Sequence, residues 1–177
     1  MEQSFYSALQ QAEEILKDVR WQDYEDILFI SKSVGTIVAA CYKQKYQIKA
    51  RSISFTPLED TFSFASGEGI MFHGTADPWV KDSKKIYEGC EKIGQPLYVI
   101  ENANHSLETG DVAEDLVNLA KIMRWVEEYI WFWRWLDIQH YSIKDQWSRG
   151  EFWAAHSQIQ GHIQQYPDYD EEECDYE

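Results

Sequence analysis

The segment Ile30-Ser31-Lys32-Ser33-Val34-Gly35 decides the fold that this chain is predicted to adopt. It follows the short apolar run 26–30 (Asp-Ile-Leu-Phe-Ile), which is typical of a buried strand. It leads into the run 34–42, which is apolar nearly all round and typical of a helix packed against a sheet. The residues two places before and after Ser33 are both small, as a sharp strand-to-helix turn requires. The segment therefore predicts an exposed serine at the carboxyl end of a strand.

Further strands and helices alternate along the chain. Apolar runs predict four strands, at residues 26–30, 50–55, 69–73 and 96–100. Helical periodicity predicts helices over 4–18, 34–42 and 81–92, and a long helix from Asp111 with apolar positions at Val112, Leu116, Leu119, Met123, Val126, Ile130 and Trp133. Strands that alternate with helices favour βαβ units with right-handed crossovers. The predicted fold class is α/β, with three layers and four mainly parallel strands.

The end of the chain differs in composition from the rest. Residues 1–136 are predicted to form the α/β domain, and residues 137–167 a helical extension that stops at Pro167. Residues 168–177 form an acidic tail that is predicted to be disordered, because it has too little apolar surface to fold on its own. Five of the eight tryptophans lie between Trp131 and Trp153, in or next to the extension.

Charge and cysteine usage exclude several classes of partner and environment. The 177 residues carry a formal charge of −15, which argues against a nucleic-acid partner. No apolar run approaches the roughly 18 residues that a membrane span needs. Cys41, Cys90 and Cys174 are odd in number and lack metal-ligand spacing, so no metal is expected and a reducing compartment is favoured. No signal peptide is visible at the N-terminus, and the predicted location is the cytoplasm.

Two more polar residues follow predicted strands. Asp77 ends the stretch Phe72-His-Gly-Thr-Ala-Asp77, and His105 ends Glu101-Asn-Ala-Asn-His105. The carboxyl ends of parallel strands meet at one edge of a sheet, so these side chains are expected near Ser33. A serine hydroxyl becomes a nucleophile when a histidine, oriented by a carboxylate, takes its proton. Taken singly, Ser33 is more often a helix N-cap, Asp77 a turn former and His105 a loop histidine, but their conjunction favours a catalytic site.

Residue types, order and surroundings here resemble those of small bacterial α/β-hydrolases of the dienelactone-hydrolase-like and esterase-like kind. The resemblance covers residues 1 to about 133 and corresponds to the C-terminal half of that fold. It implies that Ser33 is the nucleophile, Asp77 the acid and His105 the base, with the backbone N–H of Val34 as one oxyanion donor. The implied substrate is a small-molecule ester or thioester, cleaved through an acyl-enzyme without a cofactor. Phe62 and Phe64 are expected either to line an acyl pocket or to be core contacts of a short helix.

The chain also departs from the α/β-hydrolase pattern. The full fold has several strands before the serine turn, and one of them ends in a Gly-rich loop that supplies a second oxyanion N–H. Only one helix precedes the turn here, so the strand before Ser33 is expected to become a sheet edge. We therefore expect an N-terminally incomplete hydrolase, or an edge that another polypeptide or a second copy of this chain covers. The alternative function is a catalytically impaired remnant or interaction module without the oxyanion loop.

Overall fold

Four parallel strands form one sheet in the computed structural model, which describes residues 2–66 and 68–139. The strands β1 (Leu28–Lys32), β2 (Arg51–Phe55), β3 (Gly69–Gly74) and β4 (Leu97–Ile100) lie side by side in chain order. The predicted α/β class and the parallel sheet are thereby confirmed. The predicted extension beyond residue 139 and the acidic tail at 168–177 lie outside the described residues.

Helices connect and flank the strands. They are α1 (Glu2–Leu16), α2 (Val34–Tyr46), α3 (Ser83–Ile93) and α4 (Val112–Gln139), with short 3-10 turns at Trp21–Asp23 and Glu59–Ser63. Asp111 caps α4, because its Oδ1 accepts hydrogen bonds from the N–H groups of Ala113 (2.9 Å) and Glu114 (3.0 Å). The helix runs past the predicted domain boundary at residue 136.

Strand β1 begins and ends two residues later than its apolar run predicts. Its ladder pairs Leu28 with Arg51 and continues to Lys32 opposite Phe55. Asp26 lies before the strand, where its Oδ1 accepts a 3.0 Å hydrogen bond from Nε of Arg51. Backbone pairing with β2 continues through polar Ser31 and Lys32, because ladder hydrogen bonds do not depend on side-chain polarity. The strand therefore extends right up to Ser33.

The sheet lies between two layers of helix. Successive strand residues point to opposite faces. On one face, the ring of Tyr98 stacks on Trp125 of α4 with centroids 4.5 Å apart. On the other face, Met71 packs with Ile86 and Cys90 of α3. The predicted three-layer arrangement is therefore present, and the carboxyl ends of all four strands share one edge.

Four of the apolar positions that predict α4 do not cover the sheet. Among the residues of α4 whose side chains the structure describes, Asn118, Ile122 and Tyr129 are buried. A second row is more than half exposed, and we call it the exposed stripe of α4: Val112 (75%), Leu116 (63%), Leu119 (54%) and Met123 (55%). Its three- and four-residue spacing is that of a helix–helix contact. The helix thus presents apolar side chains on two faces.

Strand β1 forms an edge of the sheet within the described residues, since it pairs with β2 alone. Ile30, in the middle of that strand, is 63% exposed. An exposed apolar residue on an edge strand is unusual, because unpaired N–H and C=O groups offer a template for another strand. In the part of the chain that the structure describes, no helix is long and apolar enough to cross a membrane.

Candidate active site

Ser33 occupies a turn between the end of β1 and the start of α2, with φ 55° and ψ −129°. A non-glycine residue with positive φ is strained, and its surroundings must hold it in place. Here the N–H of Ser33 donates to the carbonyl oxygen of Phe55 (3.0 Å). The carbonyl oxygen of Ser33 accepts from both the N–H (2.9 Å) and the hydroxyl (2.7 Å) of Thr36. These bonds on both sides of the turn hold the strained backbone of Ser33 in place, and the residue is half-buried.

The structure brings Ser33, His105 and Asp77 into one hydrogen-bonded row. His105 Nδ1 lies 2.6 Å from Asp77 Oδ2, and His105 Nε2 lies 2.7 Å from Ser33 Oγ. Because an ionised carboxylate only accepts, Nδ1 of a neutral His105 carries the proton. The other ring nitrogen is then free to accept the proton of the Ser33 hydroxyl. This is the arrangement that nucleophilic catalysis by serine requires.

Ser33 does not use its hydroxyl to cap α2, although it stands at the N-cap position. The hydroxyl meets His105 instead. The commonplace interpretation of this serine as a helix cap is therefore not supported by its contacts.

The Asp77 carboxylate is held rigidly and away from water. Its side chain is fully buried, whereas that of His105 keeps 17% exposure. Asp77 Oδ1 accepts a 2.9 Å hydrogen bond from the N–H of Trp79, so each carboxylate oxygen has its own donor. The N–H of Asp77 donates to the carbonyl oxygen of Gly74 at the end of β3 (3.1 Å). The tight turn after β3 therefore aims Asp77 at the imidazole.

The loop that carries His105 is anchored on both sides of this residue. Ala103 and Leu107 are buried. The side-chain oxygen of Asn104 accepts from the N–H of Ser106 (2.7 Å), which closes a local turn. Lys32 Nζ donates a 2.8 Å hydrogen bond to the carbonyl oxygen of His105. A hydrogen bond thus connects the loop that carries His105 to the residue before Ser33.

Gly74 allows the loop after β3, which carries Asp77, to lie close to the loop after β4, which carries His105. A β-carbon at this position would lie 2.3 Å from the carbonyl oxygen of Ala103 and 2.7 Å from that of Asn104. Both contacts are with backbone, which cannot swing aside as a side chain can. The N–H of Ala76 also donates to the carbonyl oxygen of Ala103 (2.9 Å). Only glycine lets β3 pass directly beneath the backbone that carries His105.

Gly35 is less crowded than the turn requirement predicts. A β-carbon at Gly35 would lie 4.0 Å from Cβ of Ser31, which is an ordinary van der Waals contact. Alanine would therefore fit at position 35. That nothing larger fits there stays a prediction.

Val34 is the first residue of α2, and its N–H belongs to the helix N-terminus. The first N–H groups of a helix have no intrahelical acceptor and carry partial positive charge. This N–H is therefore suited to a developing oxyanion next to Ser33. Residues 1–27, which lead up to β1, contain no glycine and therefore no Gly-rich loop of the kind that the hydrolase resemblance implies.

Phe62 and Phe64 are not brought to Ser33 by the contacts that the structure gives them. The ring of Phe62 fills the space above Gly89 of α3, and it packs against the core around Met71. Phe64 stacks on Phe5 of α1 with ring centroids 6.3 Å apart. These are the core contacts of a short helix, and the role of Phe62 and Phe64 in a substrate pocket stays a prediction.

Two contacts beside the row of three were not predicted from the sequence. Lys32 contacts the His105 backbone, and Trp79 places its ring centroid 6.1 Å from the His105 imidazole while it remains 64% exposed. Their sequence neighbours, Ser33 and Asp77, are the signal that could have drawn attention to them. The described part of the chain holds no cluster of His, Cys, Asp and Glu that could bind a metal ion.

Comparison with known proteins assigns no family. No family model matches the chain, and neither a curated protein sequence nor a solved structure is significantly similar to it.

Proposed function

We propose that this protein is a serine hydrolase of the α/β-hydrolase type that cleaves a small-molecule ester or thioester through an acyl-enzyme. The observation that carries the proposal is the hydrogen-bonded row from Asp77 through His105 to Ser33, with Ser33 on a positive-φ turn. Each of these features has a less specific explanation, and Asp77 does accept from the N–H of Trp79 as a turn-forming residue would. The hydroxyl of Ser33 nevertheless caps no helix and meets His105, and His105 joins Ser33 to Asp77. The order serine, acid, histidine along the chain adds to this support.

Acylation follows from the geometry of the row. Ser33 Oγ attacks the carbonyl carbon of the substrate while His105 Nε2 takes the hydroxyl proton. The buried Asp77 carboxylate stabilises the imidazolium that forms and keeps its orientation. The carbonyl oxygen becomes an oxyanion, towards which the N–H of Val34 donates. When the tetrahedral intermediate collapses, His105 gives its proton to the departing alcohol or thiol, and the acyl group remains on Ser33.

Deacylation reverses the roles with water as the nucleophile. A water molecule beside His105 loses a proton to Nε2 and attacks the acyl carbon. The bond to Ser33 Oγ then breaks as Nε2 returns the proton to the serine. The 17% exposure of the His105 side chain leaves a path for that water.

A fluorophosphonate probe tests the proposal, because it reacts only with an activated serine. We expect labelling of the wild type at Ser33, and its loss in Ser33→Ala and His105→Ala. Ser31→Ala is the matched control: this serine lies two residues away with a buried hydroxyl, so its removal should leave labelling intact. Equal labelling of the wild type and Ser33→Ala would place the reactive serine elsewhere.

A second candidate function is a non-catalytic interaction module. Two observations favour it: the exposed stripe of α4, and the exposed Ile30 on β1, which is an edge strand within the described residues. Residues 1–27 contain no glycine for the loop that supplies the second oxyanion N–H in the α/β-hydrolase fold, and loss of one such donor costs about 10²–10³-fold in rate. In this interpretation, β1 pairs with a strand of another chain or of a second copy.

Sedimentation and turnover together separate the two candidates. The interaction module predicts self-association that Ile30→Lys weakens. A charged residue on an edge strand disfavours pairing of that strand with another one. Ile15→Lys, which places the same charge on an exposed residue of α1, is the control. A monomer at all concentrations with efficient ester turnover would exclude the interaction module.

A further inference from the structure

We propose that Trp79 forms the subsite for the leaving group, and that it selects esters whose alcohol or thiol portion carries an aromatic ring. The inference rests on the proposed hydrolase function and deepens it by naming a substrate class.

Trp79 is held at the site by its backbone while its ring remains open to a ligand. Its N–H is fixed on Asp77 Oδ1 (2.9 Å), and the next residue, Val80, is buried. Trp79 as a whole nevertheless remains 64% exposed. Large aromatic side chains exposed beside catalytic groups are typical of ligand sites, since they gain most from being covered.

The position of the indole relative to His105 identifies the part of the substrate that it would meet. In acylation the bond from Ser33 Oγ to the carbonyl carbon forms, and the bond to the leaving oxygen or sulfur breaks. The serine proton passes through His105 Nε2 to that leaving atom, which must therefore lie against the imidazole. The carbonyl oxygen points instead to the N–H of Val34. A ring beside His105 thus borders the leaving group.

The geometry of the indole favours a flat partner. Aromatic rings attract each other when their centroids are 4.5–7 Å apart, and the indole and imidazole already lie 6.1 Å apart at 53°. A leaving group with an aromatic ring could pack on the exposed indole while its oxygen reaches Nε2. Aliphatic alcohols would cover less of the indole. Trp79 takes no part in proton transfer, so its contribution is to selectivity.

Benzyl acetate and ethyl acetate test the proposal, because both produce the same acetyl-enzyme and differ in the leaving alcohol. The measured quantity is the ratio of kcat/KM for the benzyl ester to that for the ethyl ester. We expect Trp79→Ala to lower this ratio by about 2- to 10-fold, as loss of an aromatic contact implies. Trp79→Phe should retain most of it. Trp131→Ala removes another exposed tryptophan, which lies on α4, and should leave the ratio unchanged.

Binding of benzyl alcohol to the Ser33→Ala protein provides a readout that needs no turnover. Titration by NMR should show weaker binding when Trp79→Ala is added. If Trp79→Ala changed neither the ratio of the two kcat/KM values nor the binding of benzyl alcohol, the proposal that Trp79 forms the leaving-group subsite would be refuted. A wild type that is neither labelled nor active would instead refute the proposed function, and the titration would still decide whether Trp79 binds the ring.

Discussion

The ammonium group of Lys32 donates a 2.8 Å hydrogen bond to the carbonyl oxygen of His105. The bond joins the last residue of β1 to the loop after β4, at the opposite side of the sheet. Because Ser33 directly follows Lys32, the strand that leads into Ser33 also restrains the loop that carries His105. Lys32 is therefore a positioning residue in the proposed site.

Replacing Lys32 with methionine removes this bond and keeps the length of the side chain. We expect faster amide hydrogen exchange in residues 103–108 and about 2- to 10-fold slower fluorophosphonate labelling of Ser33, the range that one hydrogen bond supports. Lys32→Arg keeps a cationic donor and should restore both. Equal exchange in all three proteins would show that the bond does not restrain the loop.

Gly74→Ala tests the close approach beneath the His105 loop. The added methyl would meet the carbonyl oxygens of Ala103 and Asn104, so we expect a loss of about 1–3 kcal/mol in the free energy of unfolding. Displacement of the His105 loop should also slow labelling of Ser33 by up to about 10²-fold. Urea denaturation and labelling rates measure the two effects.

Gly94→Ala is a control with a comparable effect on stability. Gly94 ends α3 with φ 65° and has open space around it, so alanine costs about 1 kcal/mol through backbone strain alone. This substitution should leave labelling unchanged. If both variants lost reactivity in proportion to stability, the special role of Gly74 would be refuted.

Asp77→Asn should abolish most of the catalytic activity while the protein stays folded. The carboxylate accepts from the N–H of Trp79 and from Nδ1 of His105, whereas an amide has only one acceptor oxygen. An amide NH₂ facing Nδ1 would favour the tautomer with the proton on Nε2, which cannot accept from Ser33. We expect kcat to fall by about 10⁴-fold.

The control for this substitution is Asp82→Asn. Asp82 caps α3 by accepting from the N–H of Lys84 (3.0 Å), and asparagine caps helices equally well. Its kcat should therefore match that of the wild type. A decrease of less than tenfold in Asp77→Asn would remove Asp77 from the proposed mechanism.

His73 should make the fold sensitive to acid. Burial lowers the pKa of His73, and the nearby charge of Asp77 opposes this effect with a smaller contribution. The unfolded chain therefore binds a proton at higher pH than the folded protein does. Stability is complete above the ordinary histidine pKa of about 6.5 and falls as the pH drops below it, by up to about 1.4 kcal/mol per pH unit.

Urea unfolding of the wild type and His73→Gln at pH 8 and pH 5 measures this effect. His73 Nε2 lies 2.8 Å from Ser83 Oγ, a contact that the glutamine amide is able to replace. The variant should lose less stability than the wild type between the two pH values. Identical losses would assign the acid sensitivity to other groups.

Local patterns were sufficient for most of the fold. Strand β3 is buried on both faces, so its residues form a continuous apolar run, and the predicted 69–73 matches Gly69–Gly74 within one residue. Strand β1 was predicted less well because its last two residues are polar. The buried side of α4 was not predictable either, since two apolar rows share that helix and helical periodicity does not say which one meets the sheet.

Residue order and strand ends, which are local properties of the chain, were enough to predict that Ser33, Asp77 and His105 belong to one sheet edge. Their contacts at 2.6 and 2.7 Å join residues 28 and 72 positions apart, and they depend on how the loops after β3 and β4 pack. The need for glycine at position 74, the bond from Lys32 and the placement of Trp79 follow from that packing. Such contacts join segments that are distant in sequence. The spacing of residue types along the chain does not show which of these segments lie close together in the folded protein.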